Sequence, residues 1–116
     1  MNIQIFGTKK SSDTRKAERW FKERRIKAQV IDLLDKGISR GELRSAAQAC
    51  GGLEALLDEN ARDKDALALV KYTAAAQREE AVLEHPQVLR QPIVRNGKKA
   101  AVGYCPEVYE AWMKEG

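Results

Sequence analysis

The segment "GTKKSSDT" at residues 7–14 places two hydroxyl side chains, Ser11 and Ser12, where an apolar run gives way to an amphipathic stretch. A nucleophile at such a junction would lie at a helix N-terminus, where the helix dipole and free backbone N–H groups stabilise negative charge. A serine hydroxyl stays protonated at neutral pH unless a base activates it, and no base candidate neighbours these serines in the sequence. The segment therefore has the surroundings of a nucleophilic site without a nucleophile.

Few other residues offer catalytic chemistry. Cys50 and Cys105 lie far apart without metal-ligand spacing, and His85 is the single histidine, which disfavours metal sites and Ser/His/Asp catalysis. Cys50 precedes Gly51 in an apolar segment, so we predict a core residue. Cys105 precedes Pro106 near a helix start, so two interpretations stay open: a resolving or reactive thiol, or an ordinary half-buried cysteine.

Positive charge concentrates around this segment. Residues 9–27 contain nine basic and three acidic side chains, whereas the formal charge of the whole chain is only +4. This pattern fits either the solvated face of a helix or an anion-attracting surface. Trp20 and Phe21 fall on the apolar stripe, so the interleaved aromatics of single-strand nucleic-acid binders are absent, and nucleic acid is disfavoured as a partner.

The elements that position the segment begin with a βαβ unit. Residues 3–6 form an apolar run ended by Gly7, which predicts a central strand. Ser12 or Asp13 is predicted to cap the next helix, and residues 28–32 form a second strand. A crossover helix between neighbouring strands makes a right-handed parallel pair.

A helical stretch and a hairpin complete the chain. Ser39 and Glu42 form a capping box, and helical signals continue from there to about His85. In "QPIVRNGKKAAVGY", Asn96-Gly97 is the hairpin turn between two strands, and a closing helix starts at Pro106. We predict an α/β, thioredoxin/glutaredoxin-like fold with a four-stranded mixed sheet and an inserted helical layer.

Length and composition limit the organisation. We expect one thioredoxin-like domain over residues 1–116, with the helical insertion at about residues 38–86. Residues 1–6 lack a basic leader, and no apolar run approaches the roughly 18 residues of a membrane span. The expectation is a cytoplasmic monomer without membrane contact.

Three separated stretches resemble the arsenate-reductase-like (ArsC/Spx) family of thioredoxin-fold proteins: "IQIFGTKKSSDTRKAERWFKER", "LEHPQVLRQPIV" and "KKAAVGY". Their order and spacing agree with this bacterial family over nearly the whole chain. In the family a cysteine follows the first strand and a cis-proline precedes the third. The resemblance places that cysteine at Ser11, the cis-proline at Pro92 and a thioredoxin-type second cysteine at Thr14, and it implies a cis Gln91–Pro92 peptide bond.

The resemblance also implies a site. Ser11 takes the catalytic position, and the residues implied to contact a substrate are Lys9, Lys10, Ser12, Thr14, Arg15, Arg90, Gln91 and Pro92. Nearby cations would lower the pKa of a thiol at position 11. No metal or bound cofactor is expected, and glutathione is implied as a co-substrate.

The sequence departs from both branches of the family. Arsenate reductases hold the oxyanion with arginines, one directly before the proline, where this chain has Gln91 with Arg90 one residue earlier. Glu54 stands near "LEALL" where another arginine is expected, so arsenate reduction is disfavoured. Spx-type members carry a Cys-x-x-Cys redox switch, whose spacing survives as Ser11 to Thr14 without either thiol.

The function therefore depends on Ser11, which is either an engineered replacement of cysteine or the residue of a natural member that has lost redox activity. If cysteine is native, we expect an ArsC-like oxidoreductase acting on a small thiol or disulfide, such as a glutathione mixed disulfide. As written, position 11 cannot perform thiol–disulfide exchange. The alternative is a non-enzymatic, Spx-like binding or regulatory module that contacts a protein partner such as RNA polymerase.

Overall fold

A computed structural model of the chain describes residues 1–115. The strands are β1 (Ile3–Gly7), β2 (Ala28–Asp32), β3 (Ile93–Asn96) and β4 (Lys99–Val102). The helices are α1 (Ser12–Glu23), α2 (Arg40–Cys50), α3 (Lys64–Tyr72), α4 (Ala75–Glu84) and α5 (Pro106–Glu115), with 3₁₀ turns at Leu53–Leu56 and Pro86–Val88. No helix within residues 1–115 is long and apolar enough to cross a membrane.

The four strands form one mixed sheet in the order β2-β1-β3-β4. Strand β1 pairs in parallel with β2, with Ile5 opposite Val30, and antiparallel with β3, with Ile5 opposite Val94. Strand β1 therefore has a neighbour on each side, which explains its nearly continuous apolar sequence. The predicted βαβ unit, hairpin and α/β class are confirmed.

Alternating side chains of β1 pack into two separate clusters. Ile3 and Ile5 join Phe21 and Tyr109, from α1 and α5, in one cluster. Phe6 joins the other cluster, which is built with the helical insertion. Because successive strand residues point to opposite faces, helices cover the sheet on both sides and hold the C-terminal end of β1 firmly.

Two local predictions need correction. The N-cap of α1 is Ser11 rather than Ser12 or Asp13: its backbone is extended, with φ −81° and ψ 118°, and its hydroxyl accepts from the Thr14 N–H. The physical reason is the preceding turn, in which the Ser11 N–H donates to the Thr8 carbonyl over 3.1 Å and so starts the helix one residue earlier. The capping box of Ser39 and Glu42 on α2 is confirmed.

The hairpin turn lies one residue further along than predicted. Asn96 pairs with Lys99 as the last ladder pair, so the two-residue loop is Gly97-Lys98. Gly97 has φ +61°, whereas neither Asn96 nor Lys98 has positive φ. Positive φ at only the first loop position excludes a type I′ turn and fits type II′, in which glycine takes that place.

Candidate functional site

The turn between β1 and α1 presents Ser11 at a helix N-terminus. The Ser11 hydroxyl oxygen accepts from the Thr14 N–H over 3.2 Å, and the Ser11 carbonyl accepts from the Arg15 N–H over 3.1 Å. The side chain is half-buried at the start of the 12-residue α1, whereas Ser12 is exposed. The atom at the γ position of residue 11 thus receives a backbone N–H bond at the positive end of a helix dipole.

Basic side chains surround this turn. Lys9 and Lys10 are exposed, and the Arg15 guanidinium donates to the Lys9 carbonyl, which brings its charge across the turn. The Lys16 ammonium lies 3.9 Å from the Asp13 carboxylate, with both side chains about half exposed. The turn is therefore positively charged, and Asp13 supplies the nearby counter-charge.

Thr14 lies beneath the turn rather than on its surface. It is 2% exposed, and its hydroxyl oxygen has no hydrogen-bond partner within residues 1–115. A Cβ built on Gly7 would lie 2.3 Å from that oxygen, so β1 and α1 touch closely at this point. The side chain implied to meet a substrate thus packs on the end of β1.

The loop before β3 meets the turn directly. The Gln91–Pro92 peptide bond is cis, as predicted, and Pro92 is buried with its carbonyl accepting from the Gly103 N–H over 2.8 Å. The Gln91 side-chain oxygen accepts from the Thr8 N–H over 2.8 Å and from the Thr8 hydroxyl over 3.0 Å. Within residues 1–115 the Gln91 backbone N–H and C=O have no partner, so they are free to pair with a bound chain.

Arg90 lies beside this loop without joining the turn. Its backbone N–H donates to the Leu56 carbonyl over 2.8 Å, and its guanidinium reaches the Ala55 carbonyl at 3.5 Å. A Cβ on Gly103 would lie 3.5 Å from the same guanidinium. Arg90 is exposed, and its guanidinium lies near Gly103, the residue directly after β4.

Glu54 occupies an ion pair rather than a ligand position. Its carboxylate accepts from the Arg78 guanidinium of α4, and its own side chain is 64% exposed.

Two surface clefts, of about 480 and 630 Å³, lie outside the turn and are lined by other residues, including Glu42 in the first and Arg44 in the second. We place the candidate site at the turn on chemical grounds, because the converging backbone donors and cations lie there.

Both cysteines are free and half-buried. Burial raises the pKa of the Cys50 thiol and, together with the Glu107 carboxylate, that of Cys105. The Cys105 thiol donates to the Val102 carbonyl over 3.4 Å, which also favours the protonated form. Residues 1–115 contain no cluster of three or more His, Cys, Asp or Glu arranged to hold a metal ion.

We expect both native thiols to be alkylated slowly at pH 7, because the thiolate is the reacting form and both pKa values are raised. Alkylation should accelerate as the pH passes the reference value of about 8.5. Glu107→Gln should accelerate Cys105 but not Cys50, since removing that carboxylate lowers the pKa of Cys105 alone. Mass spectrometry of the alkylated peptides measures both rates; faster alkylation at pH 7 in the folded chain than in the urea-unfolded chain contradicts this prediction.

Sequence reasoning missed Thr8 and Gly103. The Thr8 N–H and hydroxyl donate to the Gln91 side-chain oxygen, and the Thr8 carbonyl accepts from the Ser11 N–H. The Gly103 N–H donates to the Pro92 carbonyl. The position of Thr8 directly after a predicted strand was the available signal, because such residues line the ends of strands. Gly103 offered only its glycine identity, with φ +84° in the structure.

The sequence of this chain matches a known protein family. The model of the ArsC family matches residues 6–112. The chain is 26% identical over 113 residues to the protein named global transcriptional regulator Spx 2 of Lactococcus lactis, covering 96% of this chain and 86% of that protein. A protein of the same name from Oceanobacillus iheyensis is 29% identical over 112 residues, covering 90% of this chain and 78% of that protein.

Solved structures share the fold. An arsenate reductase from Vibrio cholerae superposes with a TM-score of 0.80 at 25% identity, covering 96% of this chain and 97% of that chain. An arsenate reductase-related protein from Brucella melitensis gives a TM-score of 0.62 at 24% identity, covering 98% and 96%. The likeness extends over the helical insertion as well as the sheet.

Proposed function

Because the chain belongs to the ArsC family, we propose that it retains the binding parts of a thiol–disulfide reductase and, with Ser11 at the nucleophilic position, binds its ligand without turnover. The single observation that carries this proposal is the Ser11 hydroxyl itself. It occupies the N-cap of α1 and accepts from the Thr14 N–H, where a thiolate would be stabilised. A cysteine at this position would restore an ArsC-like oxidoreductase site.

The ligand we propose is a small thiol or disulfide with carboxylates, such as glutathione. Lys9, Lys10 and Arg15 supply positive charge around the turn, and the free backbone groups of Gln91 supply a donor and an acceptor. Ser12 is exposed beside them, whereas Thr14 supports the turn from below. Glutathione offers both carboxylates and peptide groups, so it matches the charge and the hydrogen-bonding groups together.

A second candidate is a non-enzymatic module that contacts a protein partner. The curated relatives are named as global transcriptional regulators, which favours a partner such as RNA polymerase. The same cationic turn and first helix would then face an acidic protein surface. Neither candidate requires a bound cofactor or metal.

Arsenate reduction is the less supported reaction of the family. The place directly before Pro92 carries the neutral Gln91, and Glu54 is held in an ion pair with Arg78. A dianionic oxyanion would thus find fewer cations at these two positions than the resemblance implies.

We expect glutathione to shift the amide signals of residues 8–15 and of Gln91 in the ¹⁵N-labelled chain at physiological salt. Lys10→Gln should weaken this response, because the positive charge beside the turn attracts the carboxylates. Lys22→Gln removes one exposed charge from the last turn of α1, at the end opposite to the Ser11 turn, and serves as the matched control. A parallel titration with nonspecific duplex DNA should give only weak, salt-sensitive shifts.

Two outcomes would count against the proposal. Tight, salt-sensitive duplex binding without a response to glutathione would favour a nucleic-acid function. Equal loss of the glutathione response in Lys10→Gln and Lys22→Gln would show attraction by overall charge instead of a site.

A further inference from the structure

The Gln91 side chain joins the two halves of the candidate site. Its oxygen accepts two hydrogen bonds from one residue, Thr8, across 83 positions of the sequence. Because the Thr8 N–H can only donate, the atom facing it must be the carbonyl oxygen of the amide. The Gln91 amino group makes no hydrogen bond within residues 1–115.

Thr8 connects the Gln91 side chain to the turn by hydrogen bonds. Its carbonyl accepts from the Ser11 N–H over 3.1 Å, and the Ser11 hydroxyl then accepts from the Thr14 N–H over 3.2 Å. A continuous set of hydrogen bonds therefore runs from Gln91 through Thr8 to Ser11 and the first turn of α1. The location of the Ser11 side chain depends on a residue in the loop before β3.

Only a side chain with an acceptor can hold Thr8 in this way. Lysine and arginine side chains carry donors alone, so either residue at position 91 would leave the Thr8 N–H and hydroxyl without this partner. Glutamate keeps the acceptor, and methionine keeps the length while offering only a weak acceptor. The choice at position 91 thus sets whether the residue holds the turn or presents a cation to the ligand.

We propose that Gln91 is a positioning residue that acts through Thr8 to fix the turn bearing Ser11 against the loop of the cis-proline. The turn is thereby ordered before any ligand arrives, and position 91 contributes no charge. Gln91 has this role in the resting chain, whatever the identity of the ligand.

Backbone amide hydrogen exchange of the full chain tests the role of Gln91. In Gln91→Met, exchange at Thr8 should accelerate by about tenfold through loss of its acceptor, and exchange at Ser11 should accelerate with it. Gln91→Glu should keep the exchange at Thr8 within about twofold of the unsubstituted chain, since the carboxylate still accepts both bonds. Ile5, in the centre of the sheet, reports any change in global stability.

Gln87→Met is the matched control. The Gln87 side chain donates to the Asp63 carboxylate over 3.0 Å, away from the turn, so this variant loses a side-chain hydrogen bond without touching Thr8. Its exchange at Thr8 should stay unchanged. The inference is overturned if Gln91→Met leaves Thr8 exchange unchanged relative to Ile5, or if Gln91→Glu accelerates it as much as Gln91→Met.

If Gln91→Met does not fold, the test compares amide exchange at Thr8 between Gln91→Glu and Gln91→Lys, under conditions in which both variants are folded. Lysine cannot accept, so the inference requires faster exchange at Thr8 in Gln91→Lys and is overturned by equal exchange in the two variants. If the exchange rates at Thr8 agree with these expectations but the chain does not bind glutathione, the proposed function is refuted and the role of Gln91 stands.

Discussion

Ser11→Cys, in a chain with Cys50 and Cys105 replaced by serine, is expected to produce a thiol whose pKa lies at least about 1 below the reference of about 8.5. The thiolate would take the place of the hydroxyl oxygen that accepts from the Thr14 N–H, at the N-terminus of α1 and beside Lys10 and Arg15. The hydrogen bond at the helix N-terminus and the neighbouring positive charges both favour the thiolate, so the pKa of the thiol falls. Thiolate absorbance near 240 nm against pH measures it.

The matched control is Ser12→Cys in the same background. Ser12 is one residue further along and exposed, and its side chain makes no capping bond within residues 1–115. Its thiol should have a pKa closer to the reference. A pKa for Ser11→Cys at or above about 8.5, or equal to that of Ser12→Cys, would refute the proposed site.

The same substitution should make stability depend on pH. Because the folded-state pKa lies below the unfolded-state value, the unfolded chain binds more protons between the two values and stability rises with pH there. The gain is complete above the unfolded-state pKa and is lost as pH falls through the folded-state pKa. A folded-state pKa that lies about 1 below the unfolded-state value adds about 1.4 kcal/mol to the free energy of unfolding.

The chain with Ser11 should show no disulfide reductase turnover, and Ser11→Cys should gain exchange with glutathione disulfide.

Gly7→Ala is expected to lower the free energy of unfolding by about 1–3 kcal/mol. The added Cβ would lie 2.3 Å from the Thr14 hydroxyl oxygen and 2.6 Å from its methyl carbon, so β1 and α1 must separate. Thr14 is 2% exposed and cannot swing into solvent. Chemical denaturation monitored by tryptophan fluorescence gives the change.

Gly41→Ala provides a control of opposite sign. Gly41 is the second residue of α2 with nothing within 4 Å of an added Cβ, so alanine there should stabilise the chain through helix propensity, by no more than about 0.5 kcal/mol. Thr14→Ala should relieve the clash, so Gly7→Ala should cost less in that background. Equal effects of Gly7→Ala in both backgrounds would show that the contact is not the cause.

Much of the fold followed from local patterns. The short apolar run ended by Gly7 located β1, and the serine and glutamate spacing located the start of α2, because these signals depend on residues within one turn or strand. The hairpin was predicted but displaced by one residue. Its register depends on cross-strand pairing of Asn96 with Lys99, which a dipeptide pattern cannot specify.

The residue types at the turn could be read from the amino-acid order alone, and the resemblance of three segments to the ArsC family implied that a thiol is missing at position 11. The capping role of Ser11, the burial of Thr14 against Gly7 and the bonds from Thr8 to Gln91 required the folded chain. Those contacts depend on packing of α1 against β1 and on pairing of β1 with β3, which brings together residues 83 positions apart. Spacing along the chain carries no information about such distances, since they are set by which strand lies beside β1.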